Sequence, residues 1–471
     1  MVWGDGIEGD GGGRAVHAAA ALLPEGWARD VRLTFAGTRI GTVAVGVPAA
    51  AGDIRVDALL PAPGNLHSHS FQRAMAGMAE AGRPGQDSFW TWRTLMYRFL
   101  DRLGPEAVEA IAAQVFVEML EAGYAAVGEF HYLHHAPGGA AYDDPAELSR
   151  RIVAAAGNTG IGLTHLPVLY QHGGVRHAPL EGGQARFGHG PDGFLALLET
   201  CRTMIAGLGE DARLGLAFHS LRACDEGAMR GVLEVAREGP VHIHAAEQVR
   251  EVEEIEGWLG ERPVDWLLRR FLDERWCVIH ATHMTVAETE GLAASGAVAG
   301  LCPITEANLG DGVFPGPAYL AADGRFGVGS DSNVRIALGE ELRTLEYGQR
   351  LTLRARGCLA PRGVGDEAPA ATGEALWLAA CRGAAQALDR PAGRIAPGRI
   401  ADLVAPDLSH PALAALPRAA LVDGIVFAAG DGTVAELWSA GRHVVQAGRH
   451  PRRDAVRARF LAAMRGLGEA F

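Results

Sequence analysis

Two histidines separated by one residue, His67 and His69, follow an apolar run (Val56–Leu60) and a short Pro/Gly turn. On an extended segment, residues two apart face the same side, so both imidazoles converge on one point at a strand end, which suits a metal ion. The pair alone is a weak signal, because 18 histidines give chance pairs and His242 with His244 repeats the spacing. More telling is what ends the later apolar runs: Glu129, His131 and Tyr132; His219 and Arg222; His244 and Glu247; His280 and His283; and finally Asp331 in Gly-Ser-Asp-Ser-Asn. A single histidine at a strand end is ordinarily a hydrogen-bonded structural residue. Four His-bearing strand ends and an aspartate are hard to read that way.

The elements that would position these residues alternate along the middle of the chain. Strand-like segments recur near 56–66, 124–131, 161–169, 213–218, 241–246, 276–281, 297–302 and 325–329. Helical patterns such as Glu106 to Ala122, Phe194 to Leu208, Ala228 to Arg237 and Val264 to Leu272 lie between them. Eight strands with intervening helices predict an α/β fold, a (β/α)8 TIM-like barrel, whose active-site face is built from the C-terminal strand ends. An open doubly wound sheet is the alternative, but no Gly-x-Gly-x-x-Gly turn follows an early strand. Both chain ends read as strands: Val31–Phe35 and Gly41–Gly46 early, then Ile400–Val404, Leu421–Phe427, Val434–Trp438 and Arg442–Val445. The expected division is residues 1–56 and 394–471 as one small β-sandwich domain from both ends, with 57–393 as the barrel. Tyr170 to Pro191 and Arg356 to Thr372 read as long loops, often functional in compact domains.

Composition narrows the function. At 471 residues and 48% hydrophobic the chain can bury a large core. Its 43 basic and 56 acidic residues leave a net charge of −13, which argues against nucleic acid or an anionic membrane as partner. All the basic residues are arginine; the chain has no lysine. Six cysteines without a Cys-x-x-Cys spacing point to buried thiols in a reducing compartment. No apolar run approaches the ~18 residues of a membrane span, and no signal-peptide pattern opens the chain. The expectation is a cytoplasmic protein; a homodimer is also expected.

Several motifs carry a resemblance. Pro61 through His69, His244 with Glu247, His280, and Gly-Ser-Asp331 resemble the amidohydrolase superfamily, in its branch of aromatic-base and related deaminases. Gly393-Arg-Ile-Ala-Pro-Gly-Arg-Ile-Ala-Asp402 resembles that branch's re-entry into the β-domain. Asn65 through Gly77, Pro303-Ile-Thr-Glu-Ala-Asn-Leu-Gly-Asp-Gly and Leu345-Glu-Tyr-Gly-Gln-Arg-Leu are similar to the formimidoylglutamate deiminases of histidine degradation. The resemblance implies one divalent metal ion, commonly zinc, held by His67, His69, His244 and Asp331. Related hydrolases hold two metals bridged by a carbamylated lysine, which this lysine-free chain cannot supply. It also implies that His280 and Asp331 take the proton of an attacking water, while Glu247 shuttles a proton to the departing nitrogen. Alternatively, Glu247 only orients His244.

The implied substrate, N-formimidoyl-L-glutamate, is a small molecule with two carboxylates, which would be converted to N-formyl-L-glutamate and ammonia. Carboxylates call for arginine forks, hydroxyls and amide donors. Gln72, Arg93, Tyr132, His219 and Arg222 match the substrate-contacting positions of the resemblance. For Arg93 and Arg222 the plain alternative is a structural ion pair. A deaminase or chlorohydrolase of a heteroaromatic base is the competing reading, with Trp90 and Trp92 as stacking candidates, although Ser-Phe-Trp-Thr-Trp-Arg is as readily a packed helical segment. His131, His134, His135, His172 and His177 are taken as structural.

Overall fold

The computed structural model describes residues 15–78, 80, 96–97, 99–361 and 371–468. Eight parallel strands follow in spatial and chain order: Gly64–Ser68, Ala126–His131, Gly162–Leu169, Leu216–Phe218, Val241–Ala245, Trp276–His280, Val298–Leu301 and Arg325–Val328. Seven of the eight expected segments contain their strand, and the first, 56–66, overlaps Gly64–Ser68. The fifth reads Val-His-Ile-His-Ala and is wholly buried, as parallel strands covered on both faces are. Helices fill the connections, among them Pro105–Glu121, Pro191–Ala206, Glu226–Val235 and Pro263–Leu268 at the four expected places.

The seam between first and eighth strands closes through a parallel bridge of Ser68 with Asp331. Asp331 donates its amide to the His67 carbonyl (3.0 Å) and His69 donates to that of Asp331 (2.9 Å). Close approach here requires glycine: a Cβ on Gly329 would lie 2.6 Å from the His67 carbonyl oxygen. A buried polar network locks the same seam. Asn65 Nδ2 donates to Ser330 Oγ (2.6 Å), Ser330 Oγ donates to Asn333 Oδ1 (2.6 Å), and Asn333 Nδ2 donates to Ser68 Oγ (3.2 Å). The Asn65 and Gly-Ser-Asp-Ser-Asn motifs are therefore two halves of one joint.

Both chain ends build the adjoining β-structure. One sheet has the order Arg39–Val45, Gly26–Ala36, Val16–Leu23, Ile54–Val56; the other has Arg442–Val445, Val434–Ser439, Leu403–Pro406, Leu60–Pro61. The second sheet faces two ways by simple alternation. Leu403, Ala405 and Trp438 join Val16, Ala18 and Leu33 of the first sheet in a shared core. Val404, Leu437 and Val445 point into the main core with the barrel.

One expected strand is not a strand. Leu421–Phe427 folds as a short helical turn, Leu421–Asp423, running into a π-turn over Gly424–Ala428. Its buried apolar side chains, Leu421, Val422, Ile425 and Val426, recur at helical rather than alternate spacing. A strand unmarked in the sequence, Val16–Leu23, is alanine-rich, and alanine is a poor strand former. Part of the expected Arg356 to Thr372 loop, residues 362–370, lies outside the described residues.

Candidate metal centre and catalytic cavity

Four of the predicted residues converge. Ligand atoms of His67, His69, His244 and Asp331 all lie within 4.8 Å of one another, and all four residues are buried. Asp331 Oδ1 is 3.4 Å from His67 Nε2 and 3.3 Å from His69 Nε2, while His67 Nε2 and His244 Nε2 are 3.1 Å apart. His67, His69 and Asp331 are held in register by the seam hydrogen bonds. The orientation of two rings is fixed from behind: His69 Nδ1 lies 2.9 Å from the Phe130 carbonyl and His244 Nδ1 2.9 Å from that of His219. A carbonyl only accepts, so both Nδ1 atoms carry the proton and both Nε2 lone pairs face the centre.

That donor set fits a divalent cation. Burial pushes the His67 imidazole down to about 3 and holds His69 and His244 below the usual range. All three rings are therefore neutral near pH 7, the state in which imidazole ligates metal. Burial alone would raise the Asp331 carboxyl, but His67, His69 and His280 outweigh it and hold it below the ordinary carboxylate range. Inward-facing nitrogens around one carboxylate are matched by a positive charge between them. The chain has no lysine, and the fourth strand runs directly into His219.

A second layer surrounds His280. Its Nε2 lies 3.6 Å from Glu247 Oε1 and 3.9 Å from Asp331 Oδ2, and its Nδ1 lies 3.3 Å from Glu306 Oε1. Asp331 thus turns one oxygen to the ligand rings and the other to His280. Burial opposes protonation of His280, but Glu247, Glu306 and Asp331 reverse this and raise its pKa well above the usual value. Burial raises the Glu247 carboxyl, with His280 opposing. Both groups can therefore hold a proton. Ala246, His280, Ala281, Asp331 and Asn333 all take positive φ (45 to 69°) at the ends of the fifth, sixth and eighth strands. Left-handed backbone in non-glycine residues costs free energy and collects at functional sites.

One cavity opens onto these groups, lined by His69, His244, Glu247, His280 and Asp331 and also by Gln72, Tyr132, His219 and Arg222. Gln72 Nε2 donates to Tyr132 Oη at 2.7 Å. Arg93 lies outside the described residues, as do Trp90 and Trp92. The structure adds lining residues that sequence reasoning did not single out: Met96, Tyr97, Tyr170, Phe187, Leu309 and Ser332. It also adds Glu306, in the quoted Pro303-Ile-Thr-Glu motif, whose carboxylate accepts from the Cys302 amide (2.8 Å). Its position one turn past the seventh strand was the available signal. The Leu345 motif does structural work instead: Glu346 accepts from the amides of Cys358 and Leu359 (2.9 and 3.0 Å). Glu129 likewise holds the turn after His69, accepting from Ser70 N and Oγ (2.8 and 2.6 Å).

A barrel with converging histidines at the ends of its first and fifth strands and an aspartate after its eighth marks out a class, and comparison agrees: residues 58–444 match the model of the amidohydrolase family, to which the chain belongs. Residues 13–57 match the N-terminal domain of the formimidoylglutamate deiminase HutF. The chain is 50% identical over 441 residues to formimidoylglutamate deiminase of Pseudomonas aeruginosa, covering 93% of this chain and 95% of that protein. A 5-methylthioadenosine/S-adenosylhomocysteine deaminase of Natronomonas pharaonis is 27% identical, with 92% of each chain covered. Among solved structures, an amidohydrolase from Brucella melitensis superposes with a TM-score of 0.91 at 46% identity, covering 96% of this chain and 99% of that one.

Proposed function

We propose that this protein is a metal-dependent formimidoylglutamate deiminase, hydrolysing N-formimidoyl-L-glutamate to N-formyl-L-glutamate and ammonia. The observation that carries the reading is the 50% identity over 93% of the chain to a deiminase of that name. Among the described residues, every predicted metal, catalytic and substrate residue except His67 lines one cavity, and His67 sits directly behind it.

His67, His69, His244 and Asp331 would hold one divalent ion, for which zinc is the proposed identity. Such an ion acidifies water and polarises the carbon–nitrogen bond under attack. The chain's own groups handle the protons. Asp331, through the oxygen turned toward His280, accepts the proton of the attacking water, while His280, protonated by its carboxylate neighbours, holds that water in line. Glu247, 3.6 Å from His280, delivers a proton to the terminal nitrogen. Oxygen adds to the formimidoyl carbon, the bond to that nitrogen breaks, and ammonia leaves; the formyl group stays on glutamate. Arg222 supplies a charged fork for one substrate carboxylate, with Gln72, Tyr132 and His219 along the same wall. Arg93 is assigned to the other carboxylate from its sequence position. A homodimer in the cytoplasm completes the proposal. Six free cysteines, five of them buried, suit a reducing compartment, and among the described residues no helix is long and apolar enough to cross a membrane.

The aromatic lining by Tyr97, Tyr170 and Phe187 favours a second reading, a heteroaromatic base in the same cavity. Ammonia release measured side by side on formimidoylglutamate, guanine and cytosine separates the two. Turnover of a base and not of formimidoylglutamate overturns the deiminase assignment.

A further inference from the structure

His172 and His177 meet outside the catalytic cavity. Their rings stack with centroids 4.4 Å apart and planes 23° apart, and Trp258 packs edge-on against His177 at 5.4 Å. Asp225 completes the group. Its Oδ2 is 3.5 Å from His172 Nε2, and ligand atoms of all three residues lie within 4.8 Å of one another. Zinc-class ions bind imidazole nitrogen and carboxylate oxygen at 2.0–2.2 Å, which sets tetrahedral ligand atoms ~3.3 Å apart. The His172–Asp225 separation is already that of two ligands of one ion.

The backbone brings His177 there by an uncommon route. Gly173 donates to the Ala178 carbonyl (2.8 Å), and Ala178 closes the turn onto that of Val175 (3.4 Å). The two central residues, Arg176 and His177, both take positive φ (58 and 57°), as in a type I′ turn that ordinarily favours Asn-Gly. Asp225 is fixed independently: its Oδ1 caps the helix Glu226–Val235 by accepting from the Ala228 amide (2.8 Å). That leaves Oδ2 toward the histidines, where Gln171 Nε2 also donates to it (3.2 Å).

We propose that His172, His177 and Asp225 form a second metal site, distinct from the catalytic centre, for a divalent transition ion of the zinc class, with water filling its open position. The ion would clip the loop after the third strand to the segment after the fourth. Those segments already meet where the Gln171 and His172 amides donate to the Ala223 carbonyl (2.8 and 3.0 Å). Two cavity-lining residues stand close by in sequence: Tyr170, two before His172, and Arg222, three before Asp225. Occupancy therefore stiffens one wall of the substrate cavity without touching the catalytic ligands.

The test is zinc binding to the holoenzyme with its tightly held metal in place, by equilibrium dialysis and elemental analysis. Wild type should take up one further, weaker equivalent of Zn2+. His172→Gln and His177→Gln should each weaken that equivalent by roughly tenfold or more, since loss even of a group that merely supports a ligand costs that much. Both variants should keep the tight equivalent and the ammonia-release activity, which also shows that they fold. Magnesium, which prefers oxygen ligands and a near-octahedral shell, should not compete. Failure of wild type to bind a second equivalent at sub-millimolar free Zn2+ overturns the proposal. So does a second equivalent that survives unchanged in a variant carrying both His172→Gln and His177→Gln.

Discussion

Replacing Glu247 by glutamine keeps the side chain's size and removes its ability to carry a proton. Glu247 is 6% exposed, and its Oε1 stands 3.6 Å from His280 Nε2. It does not belong to the His67, His69, His244 and Asp331 set. The substitution should therefore leave metal content at the wild-type level. The neighbouring Glu251 still accepts from the residue-247 amide (2.9 Å), so the local turn should persist as well. A positioned acid–base group contributes ~10²- to 10⁴-fold, equivalent to ~3–5.5 kcal/mol of transition-state stabilisation at ~1.4 kcal/mol per decade. Because the group acts only as the proton moves, the loss should fall on kcat with KM nearly unchanged. The assay is steady-state ammonia release from formimidoylglutamate, paired with elemental analysis of the same preparation. Turnover within about threefold of wild type refutes the proton-shuttle role. Loss of metal along with activity would instead make Glu247 a support for His244.

The remaining predictions concern the metal, the substrate and stability. Elemental analysis should find one tightly bound divalent ion per chain, lost in Asp331→Ala; two tight ions in the catalytic cavity would defeat the single-ion assignment, which rests on the absence of lysine. Arg222→Met should lower kcat/KM for formimidoylglutamate by between roughly tenfold and several thousandfold, the ~2–5 kcal/mol typical of stripping a buried charge of its partner. If Arg222 reads the side-chain carboxylate, a formimidoyl amino acid lacking that group should be spared, and small equal effects on both substrates would end the clamp assignment. Away from the site, Asp211 accepts from Arg442 (2.9 and 2.7 Å) and lies 3.4 Å from Arg390. Burial raises its carboxyl, but the two arginines outweigh this and hold the pKa below the usual value. A folded-state pKa below the unfolded one gives stability that is present at neutral pH and lost as pH falls below ~4. The Tm gap between wild type and Asp211→Asn should accordingly be larger at pH 7 than at pH 3, and a gap that does not change with pH contradicts the linkage.

Why the barrel was legible and parts of the β-structure were not comes down to how much burial each segment experiences. A strand covered on both faces is mostly apolar, so Trp276–His280 and Val298–Leu301 stand out as short runs, and any histidine or carboxylate at such ends is conspicuous by contrast. The site inherits that visibility, because in this architecture the strand ends are the site. Leu421–Phe427 is as apolar as a strand, yet its neighbours bury residues at helical spacing, and seven residues are too few for periodicity to separate the two. Glu306 shows a different limit. Its role depends on facing His280 from another strand's end, 3.3 Å away and 26 residues apart, and a sequence motif records only that a glutamate is there. The same holds for His172 and His177. Five residues apart in a Gly-rich loop, they carry no periodic signal, and only a left-handed turn brings the second ring onto the first, beside an aspartate 48 residues further on. Chemistry placed by regular structure can be read from spacing, because spacing and direction are tied by the period of the element. Chemistry placed by a turn is set by dihedral angles that sequence only weakly specifies, so it is in such loops that further sites of this protein are to be sought.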